Sequence, residues 1–340
     1  MCNIITNMEN ACFDIPVVLF TFKRSDTVIK ILDVLRKVSP TKIYLFSDGP
    51  RNEKEKEIVD NVRSEIEKNI NWKCELIKKY FETNQGVFNQ IGLGALDVFK
   101  KEKKAIFIED DNLPCESFFD YCKDLLEKYE KNENVLWICG TNYETDSSYL
   151  PFDYTFTQHM LPCGWASWSS KFSKYYQISF SKLKDKSIRK KLKNNYEFKS
   201  LYRQQIRNFK AELYREEHKL RFASWDFHMA YTIRLFNLYG IAPKYNQICN
   251  IGVDINSTHG GVSKSMPNTD KFCGVPFKKI FFPLKHPNKI EKNFEFEKNT
   301  CKTILAPLYI RLLFPITTLV KKFLGVYPDK SLYSILRRKK

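Results

Sequence analysis

The sequence predicts an α/β fold, a Rossmann-like, mostly parallel sheet flanked by helices, with a helical, basic C-terminal extension. Three observations carry that expectation. Short apolar runs alternate with segments of helical spacing, and the connections between them are short, as in strand–helix–strand units. One of those runs, Ala105-Ile106-Phe107-Ile108, ends in Glu109-Asp110-Asp111, and acids at the carboxyl end of a strand stand where open α/β sheets bind ligands. No Gly-x-Gly-x-x-Gly follows the first strand and no Walker lysine motif is present, which sets aside dinucleotide-dependent oxidoreductases and P-loop enzymes.

The elements follow in order. Pro16 to Phe22 reads as a first strand, and Ser25 is placed to cap a helix whose Val28, Ile31, Leu32 and Leu35 keep a 3-4-3 apolar spacing. Lys42 to Phe46 reads as a second strand, running into the turn Ser47-Asp48-Gly49-Pro50. A charged helix from Glu53 to Ile70 leads to a third strand expected near Trp72 to Ile77. Asn84 to Phe99 reads as loop and helix, followed by the strand that ends at Glu109. A helix after Pro114 carries Phe118, Phe119, Tyr121 and Leu125, and Val135 to Cys139 supplies another strand. Tyr149 to Phe172 reads as aromatic-rich irregular structure. Lys182 to Lys219 is basic and helical, Ser224 to Leu238 an amphipathic helix, and Tyr239 to Gly261 strand and loop.

These elements suggest a tail at residues 1–14, a domain at 15–290 and an extension at 291–340. Within the domain the pattern divides into a first half, residues 15–145, and a second, 146–290. The formal charge of +17 favours anionic partners. It is accompanied by no zinc finger, RNA-binding motif or Arg-rich reading helix, so nucleic acid is not the expected partner. The ten cysteines lack metal-site spacing, and Met1 to Asn10 lacks the charge and apolar pattern of a signal peptide. A reducing cytoplasm is therefore the expected location. Ile304 to Val320 is apolar but broken by Pro307, Arg311 and Pro315, too short and interrupted for a span. It suits either an anionic membrane surface on the inner face or docking on the protein's own core.

Adjacent carboxylates repel one another unless a cation or sugar hydroxyls share their site. Oxygen ligands of this kind suit Mg²⁺ or Mn²⁺, which often take the rest of their shell from phosphate. The alternative is a strand running into a solvated acidic turn.

Several further pieces occur in order from about Pro16 to Pro287. They are Phe20-Thr21-Phe22-Lys23-Arg24, Phe46-Ser47-Asp48-Gly49, Asn84-Gln85-Gly86, the acidic turn, Gly164-Trp165-Ala166-Ser167-Trp168, Trp225-Asp226, Asn250-Ile251-Gly252 and Thr258-His259-Gly260. In this order the chain resembles bacterial GT-A-fold glycosyltransferases related to the inverting N-acetylglucosaminyltransferase I family. The resemblance implies a metal-dependent enzyme that moves a sugar from a UDP-sugar to a glycan or lipid-linked glycan of lipopolysaccharide, lipooligosaccharide or capsule. It implies nucleotide contacts at Arg24 and Asp48, with Asn84, Thr258 and His259 also around the donor. Glu109 and Asp110 would meet the sugar or ribose, and Asp111 would bind Mn²⁺ or Mg²⁺. Asp226 would be the general base, and here Phe227 stands where the family has a second acid. Trp165 and Trp225 offer faces for a sugar, though tryptophans also build cores. Arg24 also suits a helix entry, Asp48 a turn and Asp226 a helix start. The rival functions are a sugar nucleotidyltransferase and a basic protein that binds membranes or nucleic acid without catalysis.

Overall fold

The structure is a computed structural model and describes residues 12–144, 147–252 and 269–325. Strand β1 (Val17–Thr21) leads through α1 (Ser25–Val38) to β2 (Lys42–Ser47), then through α2 (Glu53–Asn69) to β3 (Glu75–Tyr80). A π-helix (Phe88–Leu93) continues directly into α3 (Gly94–Val98) and precedes β4 (Lys104–Glu109) and β5 (Asn112–Pro114). There follow α4 (Ser117–Lys128), β6 (Val135–Cys139), β7 (Tyr154–Thr157), β8 (Trp165–Trp168) and α5 (Ser169–Tyr175). A 3₁₀ turn (Ser181–Lys184), α6 (Lys186–Asn194), α7 (Lys199–Glu217) and α8 (Trp225–Phe236) precede β9 (Tyr239–Pro243) and β10 (Ile248–Asn250). The short α9 (Thr269–Phe272), then α10 (Phe294–Ile304) and α11 (Leu308–Phe323) complete the described chain.

One sheet holds eight strands in the order β3-β2-β1-β4-β8-β6-β9-β7. The pairs β1–β2, β2–β3, β1–β4 and β6–β9 are parallel, whereas β8 runs against both β4 and β6, and β7 against β9. Six strands therefore point one way and two the other, a mixed, mostly parallel α/β sheet. A separate two-stranded ladder pairs β5 with β10.

Successive residues of a strand face opposite sides, and β1 divides its apolar side chains accordingly. Val17 and Leu19 join the core beneath α1 and α4, with Ile31, Leu35 and Leu125. Val18 and Phe20 join the aromatic core on the other face, with Phe107, Trp165, Phe172 and Trp225. Both faces of β1 are buried, which is why its sequence is continuously apolar rather than alternating.

Three local expectations need correction. The third strand lies at Glu75–Tyr80 instead of Trp72 to Ile77. It is an edge strand with little burial, so its hydrophobic signal is weak and Trp72 lies outside it. Ser25 is the first residue of α1 rather than its cap, and Arg24 holds the cap position with extended backbone. The segment from Tyr149 to Phe172 is not irregular throughout, since it supplies β7 and β8. These strands are four residues long, and β8 contains only Trp165-Ala166-Ser167-Trp168, too short for a period to register. The 15–145 and 146–290 halves also share the sheet, because β8 of the second lies between β4 and β6 of the first.

The C-terminal extension starts on the body. Glu297 of α10 is buried and accepts hydrogen bonds from the Thr157 hydroxyl and from the Gln158 amide at 3.1 Å. No single helix among the described residues is long and apolar enough to cross a membrane. The bent pair α10–α11 passes on length and composition alone, with 59° between the two helices.

Candidate functional site

A cleft of about 700 Å³ opens at the carboxyl ends of β1, β2 and β4. The register explains its most charged wall. Phe20 of β1 pairs with Glu109 of β4, so the residues just past the two strands meet: Phe22 to Arg24 on one side, Asp110 and Asp111 on the other. The Phe22 amide donates to Asp110 Oδ2 at 3.0 Å, and Arg24 Nη1 donates to Asp111 Oδ2 at 2.9 Å. Arg24 is buried, and its Nη1 also lies 3.9 Å from Asp110 Oδ1. On the far side, the Ile251 amide donates to the Asp111 carbonyl at 2.8 Å, extending the β5–β10 ladder. Gly252 follows, and a Cβ there would overlap both Asp111 Oδ2 and Arg24 Nη1. Only glycine leaves the ion pair room.

Glu109 lies at the floor, partly open to the cleft yet enclosed by protein. Burial is the main reason its carboxyl binds a proton well above the ordinary glutamate range, followed by the charges of Asp111, Asp110 and Asp226. Arg24 opposes that shift without cancelling it. One guanidinium pairs with Asp111, and Glu109 is driven toward its neutral form.

Asp48 is placed by the β2 turn and is buried. Its Oδ1 accepts from the Gly49 and Gln85 amides at 2.8 and 2.7 Å, and its Oδ2 from Asn84 Nδ2 and the Gly86 amide at 2.8 and 3.3 Å. Burial raises its pKa while these backbone donors lower it, and the upward effect prevails. Both oxygens are committed to the chain, so Asp48 fixes the Asn84-Gln85-Gly86 loop, in which Gly86 adopts a positive φ of 79°. Asp48 and Asn84 both line the cleft.

Asp226 lines the same cleft from the first turn of α8, where a carboxylate complements the helix dipole. The Ser224 hydroxyl donates to its Oδ1. Trp225 is held by the Tyr176 hydroxyl, which donates to its carbonyl at 3.2 Å, and by stacking on Trp165 with centroids 5.3 Å apart. Trp225 lines the cleft, although it is 2% exposed. Trp165 does not offer the expected sugar platform: it stacks on Phe107 at 4.0 Å and on Phe172 at 5.4 Å and is 1% exposed. Thr258 and His259 lie outside the described residues.

The cleft also gathers side chains that the sequence did not single out. Arg51 and Lys23 approach the Phe22 ring at 5.3 and 5.6 Å. Both bind Glu55, whose carboxyl is lowered to about 2, chiefly by Arg51. Gln90, on the π-helix, donates to the Thr21 carbonyl at 2.8 Å. A π-turn has no sequence period of its own, although such turns recur at functional sites. Cys163 lines the cleft as a thiol, because burial and the charges of Asp111 and Glu109 push its pKa up. Tyr143 joins it with a hydroxyl raised mainly by burial.

The acidic turn presents carboxylate oxygens, the donor type preferred by Mg²⁺ and Mn²⁺. Among the described residues no three His, Cys, Asp or Glu side chains converge as a protein-only metal cage.

No protein-family model and no curated protein matches the chain. Among solved structures the chain is similar to "Crystal structure of HddC from Yersinia pseudotuberculosis", with a TM-score of 0.28 and 12% identity. That match covers 48% of this chain and 80% of the other.

Proposed function

We propose that the chain is a GT-A-type glycosyltransferase that moves a sugar from a nucleotide diphosphate donor to a glycan acceptor of bacterial surface polysaccharide, with inversion. The observation that carries this reading is the convergence in one cleft of Arg24, the acidic turn and a helix-start carboxylate, Asp226. Asp226 lies near enough to Glu109 for its charge to raise the Glu109 pKa. UDP is the nucleotide suggested by the family that the motifs resemble.

The donor would lie along the strand ends with its diphosphate toward Arg24, whose fixed charge and planar fork suit phosphate oxygens. Asp48 contributes by holding the Asn84-Gln85-Gly86 loop as one wall of the nucleotide pocket. Asp111 would hold Mn²⁺ or Mg²⁺, which when bound supplies neutralising charge for the departing diphosphate. Asp226 takes the proton of the acceptor hydroxyl as its oxygen attacks the anomeric carbon and the bond to the diphosphate breaks. Ser224 helps to orient that carboxylate by donating to Oδ1. Trp225, fixed in its stack, presents its cleft edge beside the acceptor.

The test is calorimetric titration of UDP, with GDP and CDP in parallel, with and without Mn²⁺, on wild type and Asp111→Ala. Metal-dependent UDP binding that disappears in the variant is the expected result. Absence of nucleotide binding under every condition would overturn the transferase reading.

A further inference from the structure

The apolar pattern of α11 is turned outward. Leu308, Leu312, Ile316, Leu319 and Phe323 recur at intervals of three or four and so share one face of the helix. That face is open to solvent, with Leu312 67%, Leu319 70% and Phe323 91% exposed. The opposite side holds the helix to the protein. The Arg207 guanidinium of α7 lies over the Phe314 ring at 3.9 Å, Arg311 Nε donates to the Ala306 carbonyl at 2.9 Å, and Lys321 is buried. Gln204 of α7 fixes the corner before α11, donating to the Ile304 carbonyl at 3.1 Å and accepting from the Ala306 amide at 2.9 Å. A surface helix of a water-soluble body normally buries its apolar stripe. This one buries cationic and aromatic contacts and presents the stripe.

We propose that α11 docks the protein on an anionic lipid surface, lying in the interface with its apolar face down. At 16 residues it measures about 24 Å, short of the roughly 30 Å hydrocarbon core. It cannot extend backwards into a span, since α10 is anchored by buried Phe296 and Glu297. Charge selects the partner. The sequence of α11 contains no Asp or Glu, exposed Arg203 and Lys210 lie on the α7 that carries it, and exposed Lys302 precedes it. Beyond it the sequence continues to Arg337-Arg338-Lys339-Lys340, within a chain of net charge +17. Anionic headgroups complement that surplus, whereas a second copy would bring the same charge to the same face. Ile304, at the end of α10, also lines the cleft, so this lipid surface lies beside the cleft. The docking does not depend on the transferase reading.

The experiment is vesicle sedimentation of the full chain with phosphatidylcholine alone and with added phosphatidylglycerol. It compares wild type with Leu312→Glu/Leu319→Glu, with circular dichroism to show that both fold. Wild type is expected to bind the anionic vesicles, and the variant about tenfold more weakly or worse. A Phe323→Trp chain reports insertion once the emission of wild type, with its five native tryptophans, is subtracted, and the added indole's emission is expected to shift to the blue on anionic vesicles only. Equal binding by the double variant would assign the attraction to the basic surface alone and overturn the proposal. An unshifted emission from the Phe323→Trp chain would overturn it too. So would light scattering that finds a dimer which the double variant dissociates, together with no vesicle binding by wild type.

Discussion

In the cleft, four carboxylates share an enclosed space with Arg24 as the cation paired to Asp111. On α11, leucines and a phenylalanine face water. The two regions depart from the usual distribution of polarity in opposite directions, and each departure is held in place by ordinary structure. The acids are imposed by the registered ends of β1 and β4 and by the first turn of α8. The apolar stripe is imposed by a helix whose other face is tied to α7 and to its own N-terminal corner. The cleft thus encloses charge and α11 exposes apolar side chains, each against the usual rule of polar outside and apolar inside.

The largest expected effect tests whether the cleft's acids have separate roles. Asp226→Asn keeps the shape and removes the base, so turnover should fall about 10²–10⁴-fold while UDP affinity is retained. Loss of affinity with little change in turnover would place Asp226 on the donor wall instead. The next concerns the strain of crowding. The proton affinity of Glu109 is raised in the folded chain, so between the ordinary glutamate pKa and its folded value the native state holds the extra proton. Wild-type stability from this group is therefore full at low pH and is lost as pH rises through the folded value. Glu109→Gln should raise Tm by about 2–4 °C at pH 8, with the gain vanishing below about pH 4. A gain independent of pH, or none at pH 8, would show that the cleft tolerates its charge without penalty. The smallest effect belongs to α11. Leu312→Glu in the absence of lipid should shift Tm by less than about 1 °C, because the side chain loses no packing. A drop of several degrees would mean that the stripe is covered by a second copy in solution, and the contrast with the cleft would fail.

Much of the first half of the sheet was readable because its signals are local. The apolar runs of β1, β2 and β4 are buried on both faces, α1 keeps its spacing, and the acidic turn stands where a strand must end. The rest of the cleft was readable only as separate pieces. Trp225-Asp226 is a dipeptide, and nothing in its spacing shows that it comes near Glu109. Trp165 illustrates the converse. Its Gly-Trp-Ala-Ser-Trp setting suggested an exposed face, yet its stacking on Phe107 depends on β8 pairing with β4, a contact between residues far apart in the chain. Asp48 was placed correctly at its turn, but the loop that saturates its oxygens comes from residues 84–86 and becomes visible only in three dimensions.

The position of β8 has a consequence for how the chain is made. During synthesis β4 and β6 leave the ribosome before β8, and they cannot lie side by side in the native sheet, because β8 occupies the place between them. Until Trp168 has emerged, both present open backbone edges, and β9 must still be added before β7 can close the far side. A nascent or truncated chain ending near residue 145 would therefore carry the whole acidic turn on a sheet with an unpaired edge, a template for association with another chain. Dividing this protein at that point would yield two insoluble fragments more readily than two working halves.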